Sequence, residues 1–92
     1  MDYQTLKFEQ QEGVAHLDLH RPDAANAVTL HLAEELLHAT TRLADDAAVR
    51  AVLITGAGAR FCGGGDVKHF AAEGEGLGHY LREVTVPFHA AM

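Results

Sequence analysis

The chain has 92 residues, of which 48% are hydrophobic and 22% charged, and its formal net charge is −6. A chain of this length forms one small domain at most, and its composition is that of an ordinary soluble protein. The acidic balance argues against nucleic acid and anionic membranes as the main partner, because both recruit basic patches.

No targeting or membrane segment is evident in the sequence. No apolar run approaches the roughly 20 residues that a membrane span needs, and the first ten residues lack the basic and apolar regions of a signal peptide. We therefore expect a cytoplasmic protein.

Neither a disulfide framework nor a metal site is expected. Cys62 is the only cysteine and has no activating residue next to it in the sequence, which predicts a small buried side chain rather than a nucleophile. His16 and His20 share one predicted strand face, and His31 and His38 lie two helical turns apart. None of them belongs to an H-E-x-x-H motif, so scattered surface histidines are the better interpretation.

The first elements in chain order are two predicted strands. Tyr3–Glu9 alternates loosely between apolar and polar residues, which is typical of an edge strand. A polar turn at residues 10–13 precedes stricter alternation at Val14–His20, whose apolar members are Ala15, Leu17 and Leu19. The pair predicts a hairpin.

A helix is predicted next, from the N-cap Thr29 to about Ala44. Residues expected to face the core recur at helical spacing, and they are Leu30, Ala33, Leu36 or Leu37, Thr40 and Leu43. Residues expected to face solvent are Glu34, Glu35, His38 and Arg42.

A strand at Arg50–Thr55 follows within a few residues and completes a strand–helix–strand crossover. Its apolar run Ala51–Ile54 contains no polar alternation, which predicts a buried strand covered on both faces. We expect it to lie parallel to the strand at Val14–His20, in a protein of the α/β class.

We expect chemistry in the glycine loop that follows this strand and ends at Asp66, whose glycines are Gly56, Gly58, Gly63, Gly64 and Gly65. Glycines let main-chain N–H groups approach a ligand closely. A dinucleotide-binding loop is disfavoured, because Phe61 stands where G-x-G-x-x-G needs its third glycine, and no G-x-x-x-x-G-K-[ST] phosphate loop exists. A tight strand-to-helix turn without a ligand remains the alternative.

Two helices are predicted at the end of the chain. A short one spans Val67–Ala72, and a second runs from Leu77 onward after a break at residues 73–76. Pro87 would kink or interrupt the second helix. Its expected inward residues are Leu81, Val84, Phe88 and Ala91, and we expect Leu77–Met92 to expose apolar surface and to self-associate.

Two sequence motifs resemble the crotonase superfamily, which comprises the enoyl-CoA hydratases and isomerases. TGAGARFCGGGD resembles the first signature of that family, and HRPDAANAVTLHLAEEL resembles its RPxxxNAL segment and first helix. The resemblance implies an α/β fold, the N-terminal portion of a crotonase-like ββα repeat core. Because the family is more than twice as long, it also implies that residues 1–92 are a single partial domain, truncated before the second half of the fold.

The resemblance also implies a site. The N–H of Gly65, directly before the aspartate, would be the first oxyanion donor, although the family often has alanine there. The coenzyme A groove would be formed by Ala24, Ala25, Gly63, Gly65, Asp66 and Val67. Asp23 stands where many relatives have a basic residue, so no phosphate contact is expected from it. Two local roles stay open, Asp66 as the cap of the helix at Val67 and Asn26 as a turn residue.

The function implied is action on an acyl-CoA thioester through an oxyanion hole that stabilises an enolate-like intermediate, with coenzyme A as part of the substrate and no tightly bound cofactor. The family forms trimer-based oligomers, so a homo-oligomer is expected. Its acid–base glutamates and second oxyanion glycine have no counterpart in these 92 residues, and whether this chain is an enzyme stays open. Glu73, Glu75 and Glu83 match no family position and are predicted to be surface charges. The alternative is a non-catalytic fragment that binds acyl-CoA or assembles with other chains.

Overall fold

The computed structural model describes residues 3–59 and 61–92, apart from the side chains of residues 67–69. Three strands form one sheet in the order β1-β2-β3, namely β1 (Leu6–Gln11), β2 (Val14–Leu19) and β3 (Ala51–Gly56). Three helices accompany it, namely α1 (Leu30–Ala44), α2 (Val67–Ala72) and α3 (Leu77–Ala91). The mixed α/β prediction is confirmed.

The strand pairing follows the predicted topology. β1 and β2 are antiparallel, with Leu6 opposite Leu19, and β2 and β3 are parallel, with His16 opposite Leu53. The hairpin turns at residues 12–13, whose φ angles of 51° and 84° both lie in the left-handed region. Such a two-residue turn matches the right-handed twist of the flanking strands. The hairpin and the parallel crossover are thus both confirmed.

The core lies between the sheet and α1. Thr29 caps the helix as predicted, since its hydroxyl accepts a hydrogen bond from the Leu32 amide at 3.2 Å. The buried cluster combines residues of the strands with residues of α1 and α3, and its members include Ala15, Leu17, Leu19, Leu32, Leu36, Leu43 and Val84.

The prediction that β3 is covered on both faces is wrong. Val52 is 45% exposed and Leu53 is 51% exposed. Within the described residues β3 is the edge of the sheet, with β2 as its one strand neighbour. An apolar run reports that a strand tolerates burial, whereas the burial itself depends on which elements lie beside it.

Glu35 does not face solvent as predicted, because its side chain is buried beneath the start of the chain, at 1% relative exposure. Its Oε2 accepts from the Gln4 amide at 2.8 Å, and its Oε1 accepts from the Thr5 amide at 2.7 Å and the Thr5 hydroxyl at 2.5 Å. His31 lies 3.1 Å from Oε2. Burial raises the pKa of Glu35, whereas these donors and the nearby His31 together lower it by more. The pKa of Glu35 therefore lies below the ordinary value of 4.5.

Helix α3 runs through Pro87, so the predicted interruption does not occur, and the alternative of a kink at Pro87 stays a prediction. Val84 faces the core at 4% exposure, and the other predicted inward residues are partly buried, whereas Val86 is 70% exposed. None of the helices within the described ranges combines the length and apolarity needed to cross a membrane.

Candidate functional site

Two loops lie side by side at the carboxyl ends of β2 and β3. Three main-chain hydrogen bonds join them. The Gly63 amide donates to the Ala25 carbonyl at 2.8 Å, the Val28 amide to the Gly64 carbonyl at 2.6 Å, and the Asp66 amide to the Val28 carbonyl at 2.9 Å. Residues 63–66 of the glycine loop are therefore fixed by the loop that precedes α1.

The line along which these three hydrogen bonds join the two loops is called the seam, and the Gly65 amide points away from it. Val28 and Gly65 form an isolated parallel bridge, in which Val28 bonds to the residues on either side of Gly65. In such a bridge the central residue directs its own N–H and C=O to the opposite side. Among the described residues none accepts a hydrogen bond from the Gly65 N–H, and Gly65 is exposed. The amide is available to an acceptor from outside.

Asn26 joins the two loops from below. Its side chain is fully buried, at 0% exposure, and its φ of 56° lies in the left-handed region, which Asn tolerates better than most residues. Its Oδ1 accepts from the Arg21 amide at 2.7 Å, and its Nδ2 donates to the Ala57 carbonyl at 2.8 Å. Asn26 therefore satisfies a local backbone group and also holds the end of β3.

A charged pair closes the other end of the seam. Arg21 Nη2 lies 3.0 Å from Asp66 Oδ2, and the two side chains are 19% and 8% exposed. The same guanidinium donates from Nη1 to the Ala27 carbonyl. Charge-assisted hydrogen bonds are stronger than neutral ones, so the pair fixes the residue that directly follows Gly65. That the Asp66 side chain also caps α2 stays a prediction.

The structure brings most of the predicted groove residues together. A Cβ placed on Gly63 would lie 3.3 Å from the Ala25 Cβ, so the two loops touch where both residues are small. Ala24 ends a 3₁₀ turn, and Ala25 follows it with a φ of 55°. The Asp66 carboxylate is engaged by Arg21, and a ligand contact by it stays a prediction. Val67 begins α2, and its side chain is outside the described residues.

Sequence reasoning missed the role of Arg21. The available signal was a basic residue directly before Pro22 in one motif and an acid directly after the glycines in the other. Their separation of 45 residues hides the contact from any local pattern.

Other polar side chains lie away from this seam. On the opposite face of the sheet, Thr55 donates to Asp18 at 2.7 Å and lies 2.6 Å from the His16 ring. Cys62 is partly buried and lines a small apolar cavity of about 80 Å³. In the part of the chain that the structure describes, no group of three or more His, Cys, Asp or Glu side chains is placed to hold a metal ion.

Comparison with known proteins gives one consistent answer. The family model described as enoyl-CoA hydratase/isomerase matches residues 9–86. A probable enoyl-CoA hydratase of Rhodobacter capsulatus is 40% identical over 87 residues, which are 95% of this chain and 33% of that protein.

Solved structures agree with this match. Pseudomonas aeruginosa AtuE superposes with a TM-score of 0.85 and 34% identity, covering 96% of this chain and 34% of that one. An enoyl-CoA hydratase of Mycobacterium marinum superposes with a TM-score of 0.74 and 36% identity over 76% of this chain and 33% of that one. This chain spans about a third of the length of these relatives. It belongs to the enoyl-CoA hydratase/isomerase family, whose crotonase fold it shares over that third.

Proposed function

We propose that this chain binds an acyl-CoA thioester and that the Gly65 N–H donates a hydrogen bond to the thioester oxygen. The observation that carries the proposal is the direction of this amide, which faces outward from a seam that fixes the residues on both sides of it. Deprotonation beside a thioester, or addition to a conjugated one, moves negative charge onto that oxygen. A donor aimed at it stabilises the enolate-like state.

The donor is suited to this role because it is held before the ligand arrives. Preorganised donors act well since they need no rearrangement when charge develops. Here the Val28 bridge, the Asn26 side chain and the Arg21–Asp66 pair hold the glycine loop.

We assign the coenzyme A groove to the small residues along the seam, Ala24, Ala25, Gly63 and Gly65, and to the turn into α2 at Asp66 and Val67. Close contact between Ala25 and Gly63 leaves main-chain groups uncovered by bulky side chains. An extended ligand chain such as the arm of coenzyme A fits such a surface. Asp23 is exposed and acidic, which opposes a phosphate contact at that point.

Turnover needs more than the donor. Hydration requires a carboxylate and a carboxylic acid beside one water, and isomerisation requires at least one base. Asp66, the carboxylate next to Gly65 in the chain, is engaged by Arg21, and Glu35 serves the start of the chain. We therefore infer thioester binding and carbonyl polarisation for these residues, while hydratase or isomerase turnover depends on acid–base groups from elsewhere in the fold.

A second candidate is assembly with other chains, as a homo-oligomer or as a non-catalytic binding fragment. The exposed edge of β3 favours it, because Val52 and Leu53 present apolar side chains at an edge that pairs with no further strand among the described residues. A crotonyl-CoA hydration assay tests whether this chain by itself turns the thioester over. Turnover at the rate of full-length hydratases would contradict the binding-fragment interpretation, and coenzyme A binding without turnover would support it.

The donor itself can be tested by removing one hydrogen. Ligation at Cys62 joins residues 1–61 to a synthetic segment 62–92 in which the Gly65 amide is replaced by an ester. Calorimetry then compares butyryl-CoA with S-butyl-CoA, which lacks the carbonyl oxygen. We expect the ester to lower the ratio of the two affinities by about two- to tenfold, the range of one hydrogen bond.

The matched control is an ester at Gly64. Its N–H also lacks an acceptor among the described residues, and its replacement makes the same amide-to-ester change one residue earlier. If the two esters lower the affinity ratio equally, the hydrogen bond to the thioester oxygen cannot be assigned to the Gly65 N–H. Equal affinity of the unmodified chain for the two ligands would remove the proposed function altogether.

A further inference from the structure

The ring of Phe70 occupies the space in which any other residue at position 65 would carry its side chain. A Cβ placed on Gly65 would lie 2.4 Å from Phe70 Cε2 and 2.7 Å from Cζ. Atoms do not approach this closely without a shift, so the ring and the glycine are matched to each other.

Phe70 is held in turn by α3. Its ring meets the ring of Tyr80 edge to face, with centroids 5.7 Å apart and planes at 68°. This geometry is a favoured one for aromatic pairs. The Tyr80 hydroxyl accepts a hydrogen bond from the amide of Leu30, the first residue of α1, at 3.3 Å.

These contacts connect the Phe70 ring, through Tyr80 and Leu30, with the segment that bridges to Gly65. Leu30 lies two residues after Val28, and Val28 forms the bridge to Gly65. Gly65 is thus confined on one side by the Val28 main chain and on the other by the Phe70 ring. Without a side chain of its own, Gly65 has the widest conformational freedom of any residue, and an exposed glycine needs such confinement to hold its N–H in one direction.

We propose that Phe70 is a positioning residue for the Gly65 amide and that Tyr80 supports it. An ordinary N-to-Cβ separation of about 2.5 Å, added to the 2.4 Å contact, puts the ring edge within about 5 Å of the Gly65 nitrogen. The ring therefore also forms an apolar wall beside any oxygen bound there. A hydrogen bond shielded from water on one side is stronger than one in open solvent.

The test is a double-variant cycle with Gly65→Ala, Phe70→Leu and the two combined. It rests on the proposed function because its first readout is the ratio of the affinities for butyryl-CoA and S-butyl-CoA. We expect Gly65→Ala to lower that ratio as far as the Gly65 ester does, about two- to tenfold. Leucine lacks the Cε2 and Cζ atoms that block the new Cβ, so the loss in the combined variant should be smaller than the product of the two single losses.

Tyr80→Phe is the matched control. It removes the hydroxyl and keeps the ring, so we expect a smaller fall in the affinity ratio than Phe70→Leu gives. Circular dichroism checks that each variant is folded. Losses that simply multiply in the combined variant would overturn the proposal.

A second readout needs no ligand. In proton–nitrogen NMR spectra we expect Phe70→Leu to shift the Gly65 amide resonance, because ring shielding and confinement are lost together. An unchanged Gly65 resonance would overturn the positioning role even if the chain binds acyl-CoA. If Phe70→Leu shifts the Gly65 amide resonance but the unsubstituted chain binds butyryl-CoA and S-butyl-CoA equally, the positioning role of Phe70 stands and the proposed function fails.

Discussion

The main-chain N–H groups of the first residues and those of the glycine loop differ in what accepts hydrogen bonds from them. Beneath the first residues, the Glu35 carboxylate accepts from the amides of Gln4 and Thr5 at 2.8 and 2.7 Å. At the glycine loop, the Gly65 amide has no acceptor among the described residues. The first is an anion site filled by the protein itself, and the second is an open one.

The difference separates stability from binding. A buried carboxylate with its donors contributes to the free energy of unfolding, because removing it leaves buried donors unsatisfied. An exposed amide that faces water contributes little to folding, since water satisfies it in both states. Substitutions at the closed site should therefore change stability, and those at the open site should change ligand affinity.

The largest expected effect is at the closed site. We predict that Glu35→Ala lowers the free energy of unfolding by about 2–4 kcal/mol, because the buried amide and hydroxyl of Thr5 and the partly buried amide of Gln4 lose their acceptor. Urea denaturation measures the loss. Glu34→Ala, one residue earlier and exposed, is the control and should change stability by no more than about 0.5 kcal/mol. Equal effects from the two substitutions would contradict the closed-site interpretation.

Arg21→Ala should affect both properties, because the pair with Asp66 is partly buried and lies beside the open site. We predict a loss of stability of about 1–3 kcal/mol together with a lower ratio of butyryl-CoA to S-butyl-CoA affinity. Arg21→Lys keeps the charge and loses the fork geometry, so it should recover only part of both. A stability loss with an unchanged affinity ratio would show that the pair does not position the donor.

The pH dependence of stability sharpens the contrast. Because the pKa of Glu35 is lower in the folded chain than its ordinary value of 4.5, the stability it contributes is fully present above about pH 4.5. That contribution is lost as the pH falls through the folded pKa. We expect urea denaturation between about pH 7 and pH 3 to give a smaller acid loss for Glu35→Gln than for the unsubstituted chain. Parallel pH profiles would contradict the assignment.

The smallest effect is expected at the exposed edge of β3. We predict that Leu53→Thr changes the free energy of unfolding by no more than about 0.5 kcal/mol, since the side chain is 51% exposed and threonine suits a strand. Sedimentation should show weaker self-association than for the unsubstituted chain. A loss of several kcal/mol would mean that this face is buried after all.

The elements that local patterns determine could be predicted from the sequence. The alternation at Val14–His20 gave the buried face of β2, and the hydroxyl of Thr29 caps α1 because its amide partner lies three residues away. The glycine loop could be predicted from the backbone freedom of its glycines, and the bounds of α2 from the residues that begin and end it.

Contacts between distant segments could not be predicted in this way. Glu35 stands at a position that helical spacing assigns to solvent, and only the start of the chain, 30 residues earlier, buries it. Exposure of β3 depends on the absence of a second neighbour in the described residues, and α3 continues through Pro87 although proline cannot donate the helical hydrogen bond.

The candidate site shows the same division. The glycines and the aspartate marked the loop, and the family resemblance singled out Gly65, whose role stays a proposal. The direction of the amide depends on the bridge to Val28, 37 residues away, and its confinement depends on the ring of Phe70. Neither contact has a signature in the spacing of the residues.

The most direct measurement is the carbon-13 resonance of butyryl-CoA labelled at its carbonyl and bound to this chain. A hydrogen bond from Gly65 draws electrons toward the thioester oxygen, so the account predicts a downfield shift on binding that disappears when the Gly65 amide is replaced by an ester. A bound ligand whose carbonyl resonance stays at its solution position, or shifts equally with the ester in place, would contradict the account.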